Sequence, residues 1–193
     1  MSEINIRTAT PDDAPTLVDI YAYYVENTLV SFEYAAPSVE EFRSRIEKTL
    51  TRYPYLVAEL DGTVVGYCYA GGFHTREAYS HSAELSIYVR RDCRRMGIGR
   101  ALLTELEKRL ERQNVLNLYA GVAFPVGGAD TERLTLASFE FHKRMGYEPV
   151  AMHHMCGFKL GEWANLAYLE KHIGKHTEQP APFIPAPQLD GQY

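Results

Sequence analysis

The stretch that decides the fold runs from residue 83 to residue 110 and reads "AELSIYVRRDCRRMGIGRALLTELEKRL". Its first part alternates polar and apolar side chains with the period of a β-strand, so that Glu84 lies on the opposite face from Leu85. From Ile98 onward the apolar residues recur at the spacing of an α-helix. The stretch therefore predicts a strand from Ser82 to Val89, a loop, and a helix from Ile98 to Arg112.

The loop between this strand and this helix carries five arginines, from Arg90 to Arg100, around Gly97 and Gly99. Free N–H groups in the first turn of a helix, the positive end of its dipole and nearby glycines together favour phosphate binding. The loop is neither a dinucleotide-binding GxGxxG turn, because Leu102 occupies the third glycine position, nor a GxxxxGK[ST] loop. The competing interpretation is a solvated basic turn whose glycines only serve the bend.

Composition limits the classes of function. The chain has 193 residues, of which 46% are apolar, and this predicts one globular domain. A net charge of −5 argues against nucleic acid as a partner. The three cysteines have no CxxC spacing, so we expect no disulfide framework and no zinc site. With no signal segment and no apolar run of membrane length, we expect a cytoplasmic protein without a membrane partner.

The rest of the chain shows mixed α and β signals. We predict a strand at residues 4–8, a helix opened by Thr10 and Pro11, a second helix capped by Ser38, and a hairpin that turns at Asp61-Gly62. A strand near residues 116–123, a helix near 134–145 and two more strands complete a domain at 1–175. The proline-rich tail at 176–193 is expected to be extended or disordered.

The segment from Arg94 to Gly99 fits the pattern (Q/R)xxGx(G/A), which resembles the pyrophosphate loop of the GNAT N-acetyltransferase superfamily. The blocks "TLVSFEYAAPSVEEF", "RYPYLVAELDGTVVGYCYAG", "REAYSHSAELSIYV" and "FHKRMGY" resemble the phosphinothricin acetyltransferase family in order and spacing. The resemblance implies an α/β (α+β) GNAT fold, with a central mixed, mostly antiparallel sheet of about six to seven strands flanked by about four helices. It also implies acetyl-CoA as cosubstrate, no metal, a small-molecule amine as acceptor and a homodimer.

The resemblance assigns acetyl-CoA to the loop and to the strand before it. Backbone N–H groups of residues 95–99 would hold the pyrophosphate, and the backbone around Val89 would bond the pantetheine arm. Thr135 stands where the family usually carries Asn, so that contact is open. The full set implied for acetyl-CoA is Ile87, Val89, Arg94, Arg95, Met96, Gly97, Ile98, Gly99, Arg100, Thr135 and Ser138.

Two side chains carry the implied chemistry. Glu84 matches the family's strand glutamate and is the expected general base, because an alkylamine must lose a proton before it attacks a thioester. The alternative is a glutamate exposed on a sheet edge. His142 occupies the family's histidine position and is the expected second acid or base, although a lone helix histidine also serves packing. The family's reaction is a direct transfer in a ternary complex, without an acyl intermediate on Cys93.

For the acceptor pocket the resemblance suggests Phe32, Glu33, Arg76 and Tyr79. An arginine at residue 76 would suit an acceptor carboxylate, so we expect a small amino acid or an analogue such as phosphinothricin, methionine sulfoximine or methionine sulfone. A polyamine or a peptide N-terminus is the alternative acceptor, and a non-catalytic acyl-CoA-binding domain is the alternative class. The loop at 123–134 is expected to lie near the acceptor mouth. His153, His154 and Cys156 lack metal-ligand spacing, since adjacent strand residues face opposite sides.

Overall fold

The computed structural model describes residues 3–189. Within them, a single sheet of seven strands in the order β1-β2-β3-β4-β5-β7-β6 is accompanied by four α-helices. Only β4 and β5 are parallel, and every other neighbouring pair is antiparallel. The predicted fold class is confirmed. The strands are β1 (Ile4–Thr8), β2 (Tyr55–Leu60), β3 (Thr63–Gly72), β4 (Ser82–Val89), β5 (Asn117–Pro125), β6 (Glu148–Lys159) and β7 (Glu162–His172), and the helices are α1 (Ala14–Asn27), α2 (Val39–Leu50), α3 (Ile98–Arg112) and α4 (Ala137–Arg144).

Local signals explain where several elements begin and turn. The β2–β3 hairpin turns at Asp61 (φ 50°) and Gly62 (φ 78°), two positive φ angles that match a tight primed turn. At the start of α2, the Ser38 hydroxyl accepts a hydrogen bond from the backbone N–H of Glu41. The first helix is preceded by a 3₁₀ turn at Pro11–Asp13, where the Asp13 carboxylate accepts a bond from the N–H of Thr10.

The helices cover both faces of the sheet. On one face, α1 and α2 pack against a layer of strand tyrosines that includes Tyr55 and Tyr67. On the other face, α3 buries Ile98, Leu102 and their helical neighbours against the sheet, and the aromatic residues of α4 join the same cluster. Alternate residues of β2 therefore belong to the two different cores, and for this reason the strand is buried on both faces.

The two parallel strands pair over only part of their length. The β4–β5 ladder runs from Ser82–Asn117 to Leu85–Ala120 and stops there. Both strands continue beyond it, β4 pairing with β3 as far as Val89 and β5 pairing with β7 as far as Pro125. The sheet thus opens into a cleft in its middle, and this opening positions the candidate site.

The described part of the C-terminal segment lies along the body of the protein. The backbone N–H groups of Ile184 and Ala186 donate to the carbonyls of Gln113 and Arg52. Phe183 packs against Tyr53, with ring centroids 5.4 Å apart. This part of the tail includes a 3₁₀ turn at Ala186–Gln188, preceded by an extended Pro185. The remainder of the predicted tail, residues 190–193, lies outside the described residues, and the division at residue 175 stays a prediction.

Candidate active site

The cleft between β4 and β5 is lined by both strands and by the start of α4. Its residues include Ser86 and Ile87 on β4, Gly121 and Val122 on β5, and His142 on α4. Thr135 and Ser138, both predicted to contact acetyl-CoA, also line it. The structure therefore brings residues from the two halves of the sequence together at the point where the sheet opens.

The β4 backbone offers hydrogen-bonding groups to this cleft. The N–H of Arg90 donates to the carbonyl of Val65 on the β3 side. Because backbone groups alternate between the two sides of a strand, Ile87 and Val89 direct theirs away from β3 and toward the cleft. The Val89 carbonyl already accepts a bond from the Tyr24 hydroxyl at 2.5 Å. The Ile87 groups and the Val89 N–H are therefore open to a strand-like ligand, and their contact with the pantetheine arm stays a prediction.

The loop before α3 has the backbone form of an anion site. Arg95 (φ 64°) and Gly97 (φ 86°) both adopt left-handed conformations, and successive N–H groups in such a loop form a concave surface for an anion. The first helical bond runs from the N–H of Ala101 to the carbonyl of Gly97. The N–H groups of residues 98–100 consequently have no helical partner, and they lie at the positive end of the helix dipole.

The arginines of this loop divide among different partners. Arg90 pairs with Asp92 at 2.7 Å. The guanidinium groups of Arg91 and Arg94 lie over the rings of Tyr23 and Tyr24, at 5.2 and 5.3 Å from their centroids. The side chains of Arg95, Met96 and Arg100 are exposed to solvent. Only part of the cluster is therefore available to a phosphate without rearrangement.

The two loop glycines differ in what they require. A methyl group at Gly97 would meet no protein atom within 4 Å, so its positive φ is the constraint there. A methyl group at Gly99 would lie 3.4 Å from Cζ of Phe141, an ordinary contact. At both positions any steric obstruction would come from a bound ligand rather than from the protein.

Glu84 lies half-buried on β4 beside the cleft. A methyl group at Gly121, which lines the cleft, would be only 2.9 Å from Glu84 Oε1. Burial raises the pKa of the Glu84 carboxyl above its usual 4.5, while the charge of His74 and the nearby Tyr168 hydroxyl oppose this rise. A carboxylate with a raised pKa beside a cleft is a good proton acceptor near neutral pH.

His142 is 2% exposed on α4 and lines the cleft. Its Nδ1 lies 2.9 Å from the carbonyl of Ser138, which can only accept, so Nδ1 carries the proton. Its Nε2 is buried without a hydrogen-bond partner among the described residues. Burial lowers the pKa of His142, and the bond to Ser138 opposes this only in part. In the resting protein His142 is therefore neutral, with Nε2 as an acceptor.

The early-loop residues predicted for the acceptor pocket lie against the β6 strand. The Phe32 ring occupies the space above Gly157, where a β-carbon would come within 2.2 Å of it. Glu33 pairs with Arg45 at 2.8 Å and accepts a bond from Tyr21. Burial alone would raise the pKa of Glu33, but these bonds outweigh it and the net pKa is lowered. Glu33 is thus an ionised structural partner of Arg45.

A buried lysine that the sequence analysis did not single out lies beneath this loop. Lys159, at the end of β6, is 2% exposed. Its ammonium donates to the carbonyls of Thr28 and Ser31, at 3.1 and 2.6 Å. Lys159 therefore fastens residues 28–31 to the β6–β7 hairpin and holds Phe32 and Glu33 in place.

Arg76 directly precedes a short 3₁₀ turn between β3 and β4, Glu77–Tyr79, in which Tyr79 is the last residue. Arg76 is exposed and has no ion pair among the described residues. Tyr79 is 41% exposed and contacts the rings of Phe73 and His74. Because the charge of His74 acts on Glu84, this turn lies close to the predicted base. Arg76 is exposed, and its role in the acceptor pocket stays a prediction.

Sequence reasoning missed His74, Gly121 and Tyr168, which surround Glu84. A glycine in the interior of the strand pattern "NLYAGVAFP" was the available signal, because such glycines often mark a close approach of another group. Nothing in the local sequence connects Tyr168 to Glu84. Their contact depends on the order of three neighbouring strands.

No cluster of three or more His, Cys, Asp or Glu side chains able to hold a metal ion occurs within residues 3–189. His153 instead contacts the ring of Tyr168, at 5.8 Å between centroids. In the same described range, none of the helices is long and apolar enough to cross a bilayer.

Comparison with protein families matches residues 6–166 to a family model described as "Acetyltransferase (GNAT) domain". A curated relative, "Phosphinothricin N-acetyltransferase" of Streptomyces viridochromogenes, is 31% identical over 179 residues, which cover 93% of this chain and 91% of the relative.

Two solved structures also share this fold. The first is a GNAT superfamily phosphinothricin acetyltransferase from Sinorhizobium meliloti in complex with AcCoA, with a TM-score of 0.82 and 31% identity. The alignment covers 93% of this chain and 96% of the Sinorhizobium meliloti chain. The second is a ribosomal-protein-alanine N-acetyltransferase from Brucella melitensis, with a TM-score of 0.79, 36% identity, and coverage of 87% of this chain and 99% of its own.

Proposed function

Since this chain belongs to the GNAT acetyltransferase family and uses acetyl-CoA as its acetyl donor, we propose that it acetylates the amine of a small amino acid or amino-acid analogue. The observation that supports this most is the placement of Glu84. Its carboxylate lies beside the cleft opened by β4 and β5, next to Gly121, and burial raises its pKa.

The described residues fit acetyl-CoA as the donor. The left-handed loop at Arg95 and Gly97 and the first N–H groups of α3 would hold its pyrophosphate. The cleft-facing groups of Ile87 and Val89 would pair with its pantetheine arm. The buried, unpartnered Nε2 of His142 in the same cleft also calls for a polar group of a ligand.

Glu84 would take a proton from the acceptor ammonium, directly or through one water, and so produce the neutral amine that attacks the thioester. A backbone N–H of the Ile87–Val89 edge would meet the negative charge that develops on the thioester oxygen, a fixed dipole that needs no reorganisation. His142, neutral at rest, would act as the second acid or base by accepting at Nε2 the proton that the amine nitrogen loses after its attack. The departing thiolate would then take that proton.

The exposed Arg76 supports an acceptor that carries a carboxylate. Phosphinothricin, methionine sulfoximine and methionine sulfone share this group with ordinary amino acids. The likeness to the Brucella enzyme, whose name specifies a ribosomal-protein alanine, keeps a peptide N-terminus as the second candidate acceptor.

We also propose that the protein is a cytoplasmic homodimer. Support for the dimer comes from β6, a 12-residue strand at the edge of the sheet. Val150, Met155 and Phe158 on it, and Trp163 on β7, are each 45–51% exposed. Such an apolar edge is commonly covered by a partner. Light scattering at micromolar concentration should give twice the chain mass; a monomer would refute the proposal.

The test of function is coenzyme A release across a panel of phosphinothricin, methionine sulfoximine, methionine sulfone, the common amino acids, polyamines and an alanine-ended peptide. Mass spectrometry of the product identifies an added acetyl group on the amine. Turnover on a carboxylate-bearing amine that falls in Arg76→Gln supports the proposal. Turnover confined to the peptide or to polyamines would replace it, and binding of acetyl-CoA without turnover on any amine would indicate a non-catalytic domain.

A further inference from the structure

Tyr24 on α1 contacts both parts of the frame proposed for acetyl-CoA, the end of β4 and the loop before α3. We infer that Tyr24 is a positioning residue for the donor: its hydroxyl fixes the end of β4, and its ring supports Arg94 of the loop. The inference rests on the proposed placement of acetyl-CoA. It does not depend on the identity of the acceptor amine or on the role of Glu84.

The hydroxyl acts where β4 has lost one neighbouring strand. The ladder between β4 and β5 stops before it reaches Val89, so the cleft side of Val89 has no strand partner. The Tyr24 hydroxyl donates to the Val89 carbonyl at 2.5 Å and supplies a partner there. On the opposite side of the strand, the N–H of Arg90 donates to the Val65 carbonyl at 2.8 Å. The end of β4 is therefore held from both sides.

A fixed strand end favours a ligand that pairs with it. When a ligand binds a mobile strand end, the strand must be ordered at the same time, and this ordering lowers the affinity. The bond from Tyr24 orders the strand end in the free protein. The Val89 N–H and the Ile87 backbone groups are then already in position for the pantetheine arm.

The ring of Tyr24 acts on the loop. The guanidinium carbon of Arg94 lies 5.3 Å from the ring centroid, within the range of a cation–π contact. Such stacking occupies the flat face of a guanidinium and leaves the N–H groups in its plane free to bond a phosphate. Arg94 directly precedes the loop backbone whose left-handed residues are Arg95 and Gly97. One side chain therefore sets both the strand end and an arginine beside the anion loop.

Tyr24 itself is held rigidly enough for this role. It is 6% exposed. The rings of Tyr23 and Tyr88 meet it edge-on, with centroids 5.7 and 5.2 Å away. At the end of α1, the Thr28 hydroxyl donates to the Tyr24 carbonyl at 2.6 Å. A ring packed in this way has little freedom to move, so it fixes Arg94 relative to the end of β4.

Tyr24→Phe tests the hydroxyl, because it keeps the ring and removes the bond to Val89. The Kd of acetyl-CoA, measured by calorimetry, should rise several-fold and up to about tenfold. In turnover assays the KM for acetyl-CoA should rise while the KM for the amine stays unchanged. Tyr23→Phe is the matched control and should bind like the wild type, since the Tyr23 hydroxyl has no hydrogen bond within residues 3–189. A Tyr24→Phe variant that unfolds earlier but binds acetyl-CoA like the wild type would overturn the inference.

Arg94→Gln tests the ring when it is made in the wild-type, Tyr24→Phe and Tyr24→Leu backgrounds. Phenylalanine keeps the ring, so the substitution should weaken acetyl-CoA binding by the same factor, on the order of tenfold, in the first two. In Tyr24→Leu the factor should be clearly smaller, because an unsupported arginine contributes less. An equal factor in all three backgrounds would overturn the role of the ring. Tyr24→Phe still decides the role of the hydroxyl if Tyr24→Leu does not fold.

The choice of ligand shows which phosphate Arg94 serves. Dephospho-coenzyme A lacks the 3′-phosphate but keeps the pyrophosphate. Arg94→Gln should weaken the binding of coenzyme A and of dephospho-coenzyme A by the same factor. A loss confined to coenzyme A would place Arg94 at the 3′-phosphate and overturn its assignment to the pyrophosphate loop.

Gly99→Ala separates this inference from the placement of the donor. Its methyl group makes only an ordinary contact with Phe141, so it can obstruct a bound ligand but not the fold. Unchanged acetyl-CoA affinity in Gly99→Ala would refute the loop as the pyrophosphate site, and the inference with it. Weakened binding in Gly99→Ala together with wild-type binding in Tyr24→Phe would refute the role of Tyr24 alone.

Discussion

Replacement of the buried Lys159 by methionine should destabilise the protein by about 2 kcal/mol. Lys159→Met keeps the apolar stem but removes the ammonium from the carbonyls of Thr28 and Ser31, two residues that are 8% and 5% exposed. Each buried acceptor left without a donor costs about 1–3 kcal/mol. The desolvation penalty of the ammonium disappears with the charge and offsets part of this cost.

For a chain of this length, a loss of about 2 kcal/mol lowers the unfolding midpoint by roughly 4–8 °C. Thermal unfolding followed by circular dichroism measures this shift. Lys108→Met, on the exposed side of α3, is the control and should unfold with the wild-type protein. If Lys159→Met unfolds within about 1 °C of the wild type, the ammonium does not anchor residues 28–31 and the reasoning is refuted.

Lys159→Met should also change the KM for the amine. Residues 28–31 lead directly into Phe32 and Glu33, which were predicted to border the acceptor. Loosening of this segment should raise the KM for the amine several-fold and leave the KM for acetyl-CoA unchanged, because the donor groups lie on β4 and α3. Equal increases in both constants would point to a general loss of structure.

Three further predictions concern the groups of the site. Gly97→Ala should lower the free energy of unfolding by about 1–2 kcal/mol, because its φ of 86° is unfavourable for alanine. Gly127→Ala is the control: its φ lies outside that region, a methyl group there also meets no atom within 4 Å, and its unfolding in the same assay should change little. At pH 8, Glu84→Gln should unfold at a higher temperature than the wild type. A carboxyl with a raised pKa adds stability below about pH 4.5, and this stability is lost as the pH rises through that pKa. A lower unfolding midpoint of the variant at pH 8 would contradict this. The His142 ring should titrate below 6.5 by NMR, and stability should fall as the pH drops below 6.5 through that lowered pKa; a midpoint above 6.5 would contradict the burial argument.

Much of the fold was predictable because its signals are local. The strand Ser82–Val89 and the helix Ile98–Arg112 have the predicted bounds, since the change from period two to helical spacing is sharp there. The helix predicted at 134–145 is shorter, Ala137–Arg144. Before it, the N–H of Leu136 donates to the Asp130 carboxylate. The N–H of Thr131 donates to the carbonyl of Leu134, and the N–H of Leu134 donates to the Thr131 hydroxyl, so these residues form a turn instead.

The site was predictable only in part. Glu84 was identifiable because a carboxylate interrupts an apolar strand, and the glycine loop because its pattern resembles a known one. The close approach of Gly121 to Glu84 and the place of Tyr168 beside them were not, because these residues lie 37 and 84 positions along the chain from Glu84, on strands whose order in the sheet periodicity does not encode. Lys159 was missed because a lysine that ends a strand normally indicates solvent.

The central claim is that Glu84 removes the proton from an amine that accepts the acetyl group. The most direct test is the pH dependence of kcat/KM for the best amine of the panel, with Glu84→Gln and the exposed Glu77→Gln compared to the wild-type protein. The account predicts a loss of at least about a hundredfold in Glu84→Gln, with acetyl-CoA affinity unchanged and Glu77→Gln like the wild type. A Glu84→Gln variant whose kcat/KM stays within a few-fold of the wild-type value at every pH measured would contradict the claim.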